Sequence, residues 1–193
     1  EVRDVTLMDA YVEGSDYVGT LAGYSRESII SGVDIRSMVR PDSVSASFRM
    51  PGVYGDTRVG GVVGRNDIGV VENCFNDAEV YGTQYVGGIA GSNYVENMLA
   101  ARDVGPDPVE QASITLCVNE GYVTGYAYVG GIAGGNGYSY EISEGVYEHG
   151  VGTPAYIEQC LNDGVIGSDD GMPLYAIIPM KFGGIAGGST GTI

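Results

Sequence analysis

The chain is poor in the residues on which most enzyme chemistry depends. Its 193 residues include no Trp, one His (His149), one Lys (Lys181) and three Cys. A single imidazole and a single amine leave few groups for acid–base or Schiff-base catalysis. The longest apolar run, at 174–178, is far shorter than the ~18 residues of a membrane-spanning helix. We therefore expect neither an enzyme nor a membrane-inserted protein.

Positive charge is also scarce. Lys and Arg number 9 against 25 Asp and Glu, which gives a formal charge of −16 at pH 7. Such a chain repels phosphate backbones and anionic lipid surfaces, so we expect no nucleic-acid partner. The same excess of acid would keep a long repeat array soluble.

Glycine, in contrast, is abundant. Gly occupies 33 of the 193 positions, more than twice the roughly 7% usual in globular proteins. Each interior Gly costs a helix about 1 kcal/mol relative to Ala, whereas the short runs of Val, Ile, Tyr and Thr between the glycines are typical of strands. The glycines follow no G-X-Y period, which excludes collagen. These features predict an all-β protein.

One seven-residue signature recurs five times. Three copies end in Gly-Gly-Ile-Ala-Gly, and the other two end in related sequences. The first glycines of successive copies are 41, 27, 43 and 53 residues apart, so we take about 27 residues as the basic unit and the remainder as insertions. The copies occupy residues 17–23, 58–64, 85–91, 128–134 and 181–187.

A second block, containing one Cys and one Asn, precedes three of the signatures. Its cysteines are 43 residues apart both times. Cys160 stands ten residues further from its double glycine than the other two do, which predicts an insertion at 168–173. The clear copies occupy 71–80, 114–123 and 157–166. Two weaker copies place Thr6 and Ser47 at the Cys position, and Val12 and Val53 at the position of Val80.

A unit of this size built from short strands cannot bury a face alone, but stacked copies can. We therefore predict a parallel β-solenoid of about five repeats with loop insertions, with a right-handed β-helix favoured. A propeller or sandwich is the alternative, although propeller blades usually need ~40 or more residues. Residues 1–193 would form a single solenoid segment, and we expect that segment to belong to a larger protein.

Particular residues have structural roles in this prediction. Signature glycines would serve the corners, where a positive φ or a close backbone approach is needed. The asparagines would form a ladder of turn residues, and the cysteines a stack of buried reduced thiols. The asparagines and cysteines are Asn76, Asn119, Asn162, Cys74, Cys117 and Cys160. The glycines are Gly19, Gly60, Gly87, Gly88, Gly91, Gly130, Gly131, Gly134, Gly183, Gly184 and Gly187.

The Gly-Gly-Ile-Ala-Gly runs at 87–91, 130–134 and 183–187 resemble the GLUG motif of bacterial surface proteins. Thr20 and the version at 61–64 depart from the motif. The resemblance implies a large secreted or wall-attached protein, such as an adhesin-like protein or an immunoglobulin A peptidase in which the repeats lie outside the catalytic domain. It implies no catalytic residues.

Short motifs for catalysis or metal binding are weak. Residues 187–191 match G-x-S-x-G, but no acid or His follows the Ser, as that motif requires. Residues 134–140 begin like a calcium-binding nonapeptide but place Ser139 where the Asp ligand belongs. Three thiols without CxxC spacing make a poor zinc site. We expect no metal and no cofactor, and we interpret Asp163, Asp169 and Asp170 as a solvated loop.

A carbohydrate-processing β-helix is the enzymatic alternative. Hydrolysis would need two carboxylates facing each other across a groove, roughly 5–9.5 Å apart. Asp169 and Asp170 supply a pair, but His149 precedes them, whereas the polygalacturonase-like order places the His after the Asp pair. This mismatch argues against hydrolysis.

Tyrosine pairs are the candidate binding residues. Tyr126 with Tyr128, and Tyr138 with Tyr140, are two apart, so each pair would share one strand face. Exposed aromatic rows can stack on sugars or dock a protein. The competing interpretation is cross-coil stacking that stiffens the solenoid, which Tyr17 and Tyr85 at the repeat position of Tyr128 favour.

We thus predict a non-catalytic structural or adhesive repeat region of a large bacterial protein that is secreted or on the cell surface. An accessory region of a secreted peptidase remains the alternative. Specificity for a host glycan or host protein would lie in insertions, because insertions in repeats map to exposed loops. The predicted insertions are 25–42, 94–112, 137–155 and 167–179.

Overall fold

The computed structural model describes residues 1–38, 50–96, 111–143, 146–149, 155–168, 181–189 and 193. Every regular element in these ranges is a β-strand, and the strands are short, as expected where glycines interrupt the chain so often. Because none of the described ranges contains a helix, none provides a helical segment that could span a membrane. The all-β prediction is confirmed.

The chain winds through five coils of five strands each. Coil 1 comprises β1 (Val2–Arg3), β2 (Thr6–Met8), β3 (Tyr11–Glu13), β4 (Asp16–Gly19) and β5 (Ala22–Arg26). Coil 2 comprises β6 (Ile29–Ser31), β7 (Asp34–Arg36), β8 (Gly52–Tyr54), β9 (Thr57–Gly60) and β10 (Val63–Asp67). Coil 3 comprises β11 (Val70–Glu72), β12 (Phe75–Asn76), β13 (Glu79–Tyr81), β14 (Gln84–Gly87) and β15 (Ala90–Glu96).

The last two coils repeat this order and add one hairpin. Coil 4 comprises β16 (Ala112–Thr115), β17 (Val118–Asn119), β18 (Val123–Gly125), β19 (Ala127–Gly130) and β20 (Ala133–Ser143). Strand β21 (Val146–His149) pairs antiparallel with the end of β20. Coil 5 comprises β22 (Ala155–Glu158), β23 (Leu161–Asn162), β24 (Ile166–Ser168), β25 (Phe182–Gly183) and β26 (Ala186–Ser189).

Equivalent strands of successive coils pair in parallel and form five sheets, here called faces A to E in chain order. On face D, for example, Val18, Val59, Val86 and Val129 are in register. Stacking in register places like residues above one another at the strand spacing of about 4.8 Å. The β-solenoid prediction is therefore confirmed.

Insertions enter between strands and leave the coils intact. Between coils 1 and 2, Thr6 pairs with Asp34, 28 residues on, whereas Val12 pairs with Val53, 41 residues on. The first insertion thus lies between β7 and β8. The prediction of an insertion at 25–42 is wrong over 29–36, because those residues form β6 and β7.

The other three predicted insertions lie between consecutive strands of the solenoid, namely between β15 and β16, between β20 and β22, and between β24 and β25. Parts of each predicted range nevertheless belong to strands, namely 94–96, 112, 137–143, 146–149, 155 and 167–168. Each insertion joins consecutive strands of the solenoid, so the five described coils account for every paired strand except β21.

The interior is filled by apolar columns. Valines of faces C and D form one cluster, and residues of the A, B and E faces form a second, larger one. The described residues of the first are Val18, Val53, Val59, Val80, Val86, Val123 and Val129. Burying a Val, Ile or Leu side chain stabilises a fold by about 1.5–3 kcal/mol, so these columns are the main source of cohesion.

The predicted alignment of the weaker repeats is wrong at the Cys position. Thr6 pairs with Asp34, and Asp34 pairs with Phe75, the residue after Cys74. Val5 and Val33 therefore hold the Cys position in coils 1 and 2, and Ser47 lies outside the described residues. The alignment of Val12 and Val53 with Val80 agrees with the register.

Glycines are required for close approach more than for positive φ. A Cβ on Gly60 would lie under 3.0 Å from Val63 O and from Gly91 N of the next coil. The left-handed corners are mostly held by other residues, so of the two reasons predicted for the signature glycines, close backbone approach applies and a positive φ does not. The non-glycine residues with positive φ are Asp4, Asp9, Tyr17, Glu27, Arg58, Ile68, Asn73, Tyr85, Leu116, Tyr128 and Gln159.

Candidate functional site

The three cysteines lie in one column inside the solenoid, with Cys74 and Cys117 buried and Cys160 half-buried. All three are free thiols, and each donates a weak hydrogen bond to the carbonyl two residues earlier, at 3.2–3.3 Å. Hydrogen bonding to Cys160 and Cys74, together with burial, raises the pKa of Cys117. Hydrogen bonding to Cys117 lowers the pKa of Cys160.

The predicted asparagines form a buried ladder at the corner between faces B and C. Asn76 Nδ2 donates to Asn119 Oδ1 at 2.9 Å, and Asn119 Nδ2 donates to Asn162 Oδ1 at 2.8 Å. Each amide also donates to the carbonyl two residues later, at 3.0–3.1 Å. Their backbone φ values are not positive, and the three residues are register partners in strands β12, β17 and β23, so the side-chain ladder accompanies the pairing of these strands.

A second asparagine ladder runs along face E, and the sequence interpretation missed it. Asn66 Nδ2 donates to Asn93 Oδ1 and Asn93 Nδ2 to Asn136 Oδ1, both at 2.8 Å. Asn136 Nδ2 reaches Ser189 Oγ at 3.3 Å, so the Ser of the G-x-S-x-G match is the last member of this ladder. The signal was present in the sequence, because each Asn follows the third signature glycine by two residues.

The second ladder also bonds to the strands that follow two of the insertions. Asn93 Nδ2 also donates to Ala112 O at 3.2 Å, and Asn136 Nδ2 to Ala155 O at 3.5 Å. Each bond links the E strand of one coil to the A strand of the next. Asn136, which lies in the stretch that begins like a calcium-binding nonapeptide, is fully buried in the ladder.

The structure describes the side chains of one of the two predicted tyrosine pairs. Tyr126 and Tyr128 are both half-buried on either side of the fully buried Ala127, and Tyr128 has φ 57. Tyr126 lies at the corner between faces C and D, where its N–H bonds to Thr83 O. Tyr138 and Tyr140 lie in β20, but their side chains are outside the described part of the structure.

Tyr128 belongs to a column of aromatic and basic side chains on face D. Its ring stacks on Tyr85 with centroids 4.7 Å apart and planes at 12°. Lys181 Nζ lies 5.2 Å from the Tyr128 ring, while Arg58 lies 5.0 Å from Tyr17 and 5.6 Å from Tyr85. Stacked rings and cation–π contacts stabilise the packing of neighbouring coils, so this column has a structural role.

A buried carboxylate lies beside this column on face E. Asp67 is fully buried, accepts a hydrogen bond from the Tyr24 hydroxyl at 2.7 Å, and lies 3.8 Å from Arg65 and 4.0 Å from Arg26. Burial and the Asp67 carboxylate raise the pKa of Tyr24 to about 12. The two arginines provide the opposite charge that a buried carboxylate requires.

The candidate binding site is a groove on face C, with a volume of about 490 Å³. Its described lining residues come from coils 1 to 3 and are Tyr11, Glu13, Gly14, Tyr54, Gly55, Asp56 and Tyr81. None of them was among the predicted binding residues, although the predicted alignment of Val53 with Val80 already placed Tyr54 beside Tyr81.

Glycines and tyrosines give the groove its shape. Gly14 and Gly55 turn the corner between faces C and D, where a Cβ on Gly55 would lie 2.8 Å from the Val18 side chain. The tyrosine rings form one wall, with centroids 5.3 Å apart for Tyr11 and Tyr54 and 6.4 Å apart for Tyr54 and Tyr81.

Hydrogen bonds hold the walls of the groove. Tyr11 donates to Glu13 Oε2 at 2.7 Å, and Tyr54 donates to Glu79 Oε2 and to Met50 O, both at 3.1 Å. On the opposite wall, Ser15 Oγ donates to Asp56 Oδ2 at 3.0 Å. The groove therefore combines aromatic rings with carboxylates that have further acceptor capacity.

The other side chains considered as metal ligands or catalytic groups contribute little to a metal or catalytic site. Within the described ranges, no three His, Cys, Asp or Glu side chains are placed to hold a metal ion. Asp163 is exposed, Asp169 and Asp170 lie outside the described residues, and the same is true of the His149 side chain.

Comparison with known proteins identifies one family match. Residues 55–81 match the family model described as the GLUG motif. This stretch contains one member of each asparagine ladder, Asn66 and Asn76, and the double glycine at 60–61. The match includes the copy at 61–64, so the family model accommodates its departure from Gly-Gly-Ile-Ala-Gly. No curated protein and no solved structure matches the chain.

Proposed function

We propose that this chain is a non-catalytic structural and adhesive repeat region of a large secreted or surface-attached bacterial protein. The GLUG motif and the repeat architecture support the structural part of this role. The resemblance of the other signature copies to the same motif supports the extracellular setting.

The groove on face C carries the adhesive part of the proposal. The solenoid interior is filled by valine, thiol and asparagine columns, so a ligand must bind outside. Tyr11 and Tyr81 are among the exposed large side chains, and they line the groove. Exposed tyrosines are frequent in binding surfaces, because an amphipathic ring adds contact area at a small entropic cost.

A binding screen of the 193-residue chain against arrays of glycans and extracellular proteins tests this function. We expect at least one ligand whose binding weakens about tenfold or more in Tyr81→Ala, since large aromatic contacts at an interface contribute about 1–2 kcal/mol or more. Tyr122→Ala is the matched control, because Tyr122 precedes strand β18 of the same face, is exposed, and does not line the groove. Absence of any ligand, or equal loss in both variants, would contradict adhesion through face C.

A further inference from the structure

We infer that the outer edge of coil 5 binds one further coil of the same type, whose Asn would stack on Asn162. The outer edge is the side of coil 5 that faces away from coil 4. This inference goes beyond the proposed function, because it concerns how coils associate and does not involve the groove on face C. It follows from the exposure of the edge, from its hydrogen-bond donors and from the space above Gly184.

The core columns are open to solvent at this edge. Cys117 and Ile132 of coil 4 are fully buried, whereas their counterparts in coil 5, Cys160 and Ile185, are only half-buried, although they pack on the same core cluster. A cavity of about 390 Å³ lies here, and its described lining includes Cys160 and Ile185. A coil stacked on this edge would bury both side chains, as coil 5 buries those of coil 4.

Two backbone donors at the edge continue a series that runs through the other coils. The N–H of Ile132 donates to Ile185 O at 2.9 Å, and the N–H of Gly131 donates to Gly183 O at 3.2 Å. In the described part of the chain, the N–H groups of Gly184 and Ile185 have no acceptor. They are therefore available to the next strand of a parallel sheet.

The first asparagine ladder ends in a side-chain donor. Asn76 and Asn119 each donate to the Asn of the following coil and to a backbone carbonyl. Among the described residues, Asn162 Nδ2 donates only to Gly164 O, at 3.1 Å. Asn162 is also half-buried, whereas the other two are fully buried. An amide nitrogen carries two donors, so the second N–H of Asn162 is left for the side-chain oxygen of a further Asn.

The space above Gly184 fits the same side chain. A Cβ on Gly131 would come well within 3.0 Å of Asn162 Cγ, because the Asn of coil 5 lies against the glycine of coil 4. Gly184 holds the equivalent position in coil 5 and is exposed, and within the described chain its Cβ would meet no atom within 4 Å beyond its two neighbours. One Asn in a docked coil would therefore pack on Gly184 and accept from Asn162.

Coil 1 of a second copy lacks this side chain. The register pairs Leu7 with Ile35, and Ile35 with Asn76, so Leu7 holds the Asn position of coil 1. A leucine has no acceptor for the Asn162 donor, and burying that donor unpaired is costly. The edge therefore selects a coil that carries Asn and discriminates against head-to-tail stacking of this chain.

The test measures binding of a fluorescently labelled peptide of residues 70–96 to the full chain, by fluorescence anisotropy under reducing conditions. This peptide is coil 3, which contains Asn76 and has no insertion. The comparison peptide has Asn76→Leu, the residue type that coil 1 has at this position.

The edge variant of the chain is Gly184→Ala, and its control is Gly167→Ala. Gly167 follows Ile166, which packs on the core, so the added methyl group lies on the outside of face C in the same coil. Thermal unfolding verifies that both variants fold, and the comparison of the two peptides does not depend on either variant.

We expect the unmodified peptide to bind the unmodified chain and Gly167→Ala alike. Asn76→Leu in the peptide should weaken binding about tenfold or more, because it leaves a buried donor unpaired. Gly184→Ala should weaken it to a similar extent, because its Cβ would overlap the docked amide. Failure of the unmodified peptide to bind, or equal binding of the two peptides, would overturn the inference.

Sedimentation of the chain alone is the second measurement, and we expect a monomer. Self-association that Gly184→Ala abolishes would show that a second copy occupies the edge, and would overturn the inference too. None of these outcomes involves ligand binding at face C, so the proposed adhesive function is tested separately by its own screen.

Discussion

Asn119 lies directly against Gly88 of the preceding coil, so that a Cβ on Gly88 would come well within 3.0 Å of its Cγ. Gly61 faces Asn76, and Gly131 faces Asn162, in the same way. The second signature glycine and the Asn of the next coil therefore form one packing unit. Coil 1 has Thr20 at the glycine position, and the next coil has Ile35 instead of Asn.

Gly88→Ala should therefore destabilise the protein by about 3 kcal/mol or more, as expected for overpacking against backbone and a buried amide. Gly184 is the matched control, because it holds the same position in coil 5 and, within the described part of the chain, its Cβ would meet no atom within 4 Å beyond its two chain neighbours. Gly184→Ala should change the free energy of unfolding by less than about 0.5 kcal/mol. Urea unfolding of both variants measures the difference, and equal effects would contradict this packing.

Leu116→Gly should stabilise the protein. Leu116 has φ 54 and a 48% exposed side chain, and a non-glycine residue in this region costs about 1–2 kcal/mol. Gly loses more conformational entropy on folding than Leu does, which offsets part of this cost. The free energy of unfolding should therefore rise by about 0.5–1 kcal/mol. Val118→Gly, two residues on in β17, should destabilise instead. A lower unfolding midpoint for Leu116→Gly would show that this corner is not strained.

The thiols should differ in reactivity. Hydrogen bonding to Cys160 and Cys74 raises the pKa of Cys117, whereas hydrogen bonding to Cys117 lowers the pKa of both Cys160 and Cys74. Access separates these last two thiols, since Cys160 is half-buried and Cys74 is buried. Because the thiolate is the reactive form, iodoacetamide should modify Cys160 first in the native protein. Peptide mass spectrometry should find the other two modified only in concentrated urea. Uniform labelling of all three would contradict the buried column.

Stability should fall in alkaline solution. Burial is the first cause that raises the pKa of Tyr24, to about 12, and of Tyr85 and Tyr94. Tyrosines in the unfolded chain titrate near 10, so the folded state holds these protons more tightly. The stability that these protonated tyrosines contribute to the folded state is fully present below about pH 10. It is lost as the pH rises from there through about 12. In Tyr94→Phe the loss should be smaller; an unchanged pH profile of urea unfolding would argue against a buried phenol.

Much of the fold was predictable, because the recurring sequence blocks indicate stacked copies of one structural unit. Cys74, Cys117 and Cys160 recur at one spacing, and a recurring apolar position between glycines has to stack. Coils 1 and 2 were harder. In these two coils Val5 and Val33 occupy the Cys position and fill the interior with a side chain of similar size. No distinctive residue therefore marks their register.

The candidate groove was missed for a different reason. The predicted alignment of Val53 with Val80 implied that Tyr54 and Tyr81 are neighbours, but Tyr11 contacts Tyr54 only because Gly52, its own register partner, has no side chain. The left-handed corners were equally hidden, since Tyr85 and Tyr128 are residue types that rarely adopt a positive φ.

Because the strands pair in register, the length of the rod depends on the number of coils and not on the number of residues in each coil. From Val59 to Val86 the chain advances one coil in 27 residues, and from Val129 to Phe182 it advances one coil in 53. Both segments lengthen the rod by the same strand spacing of about 4.8 Å. A foreign peptide placed between β24 and β25 would therefore be displayed at a fixed height on the rod, and the distance between the two ends of the rod would not change.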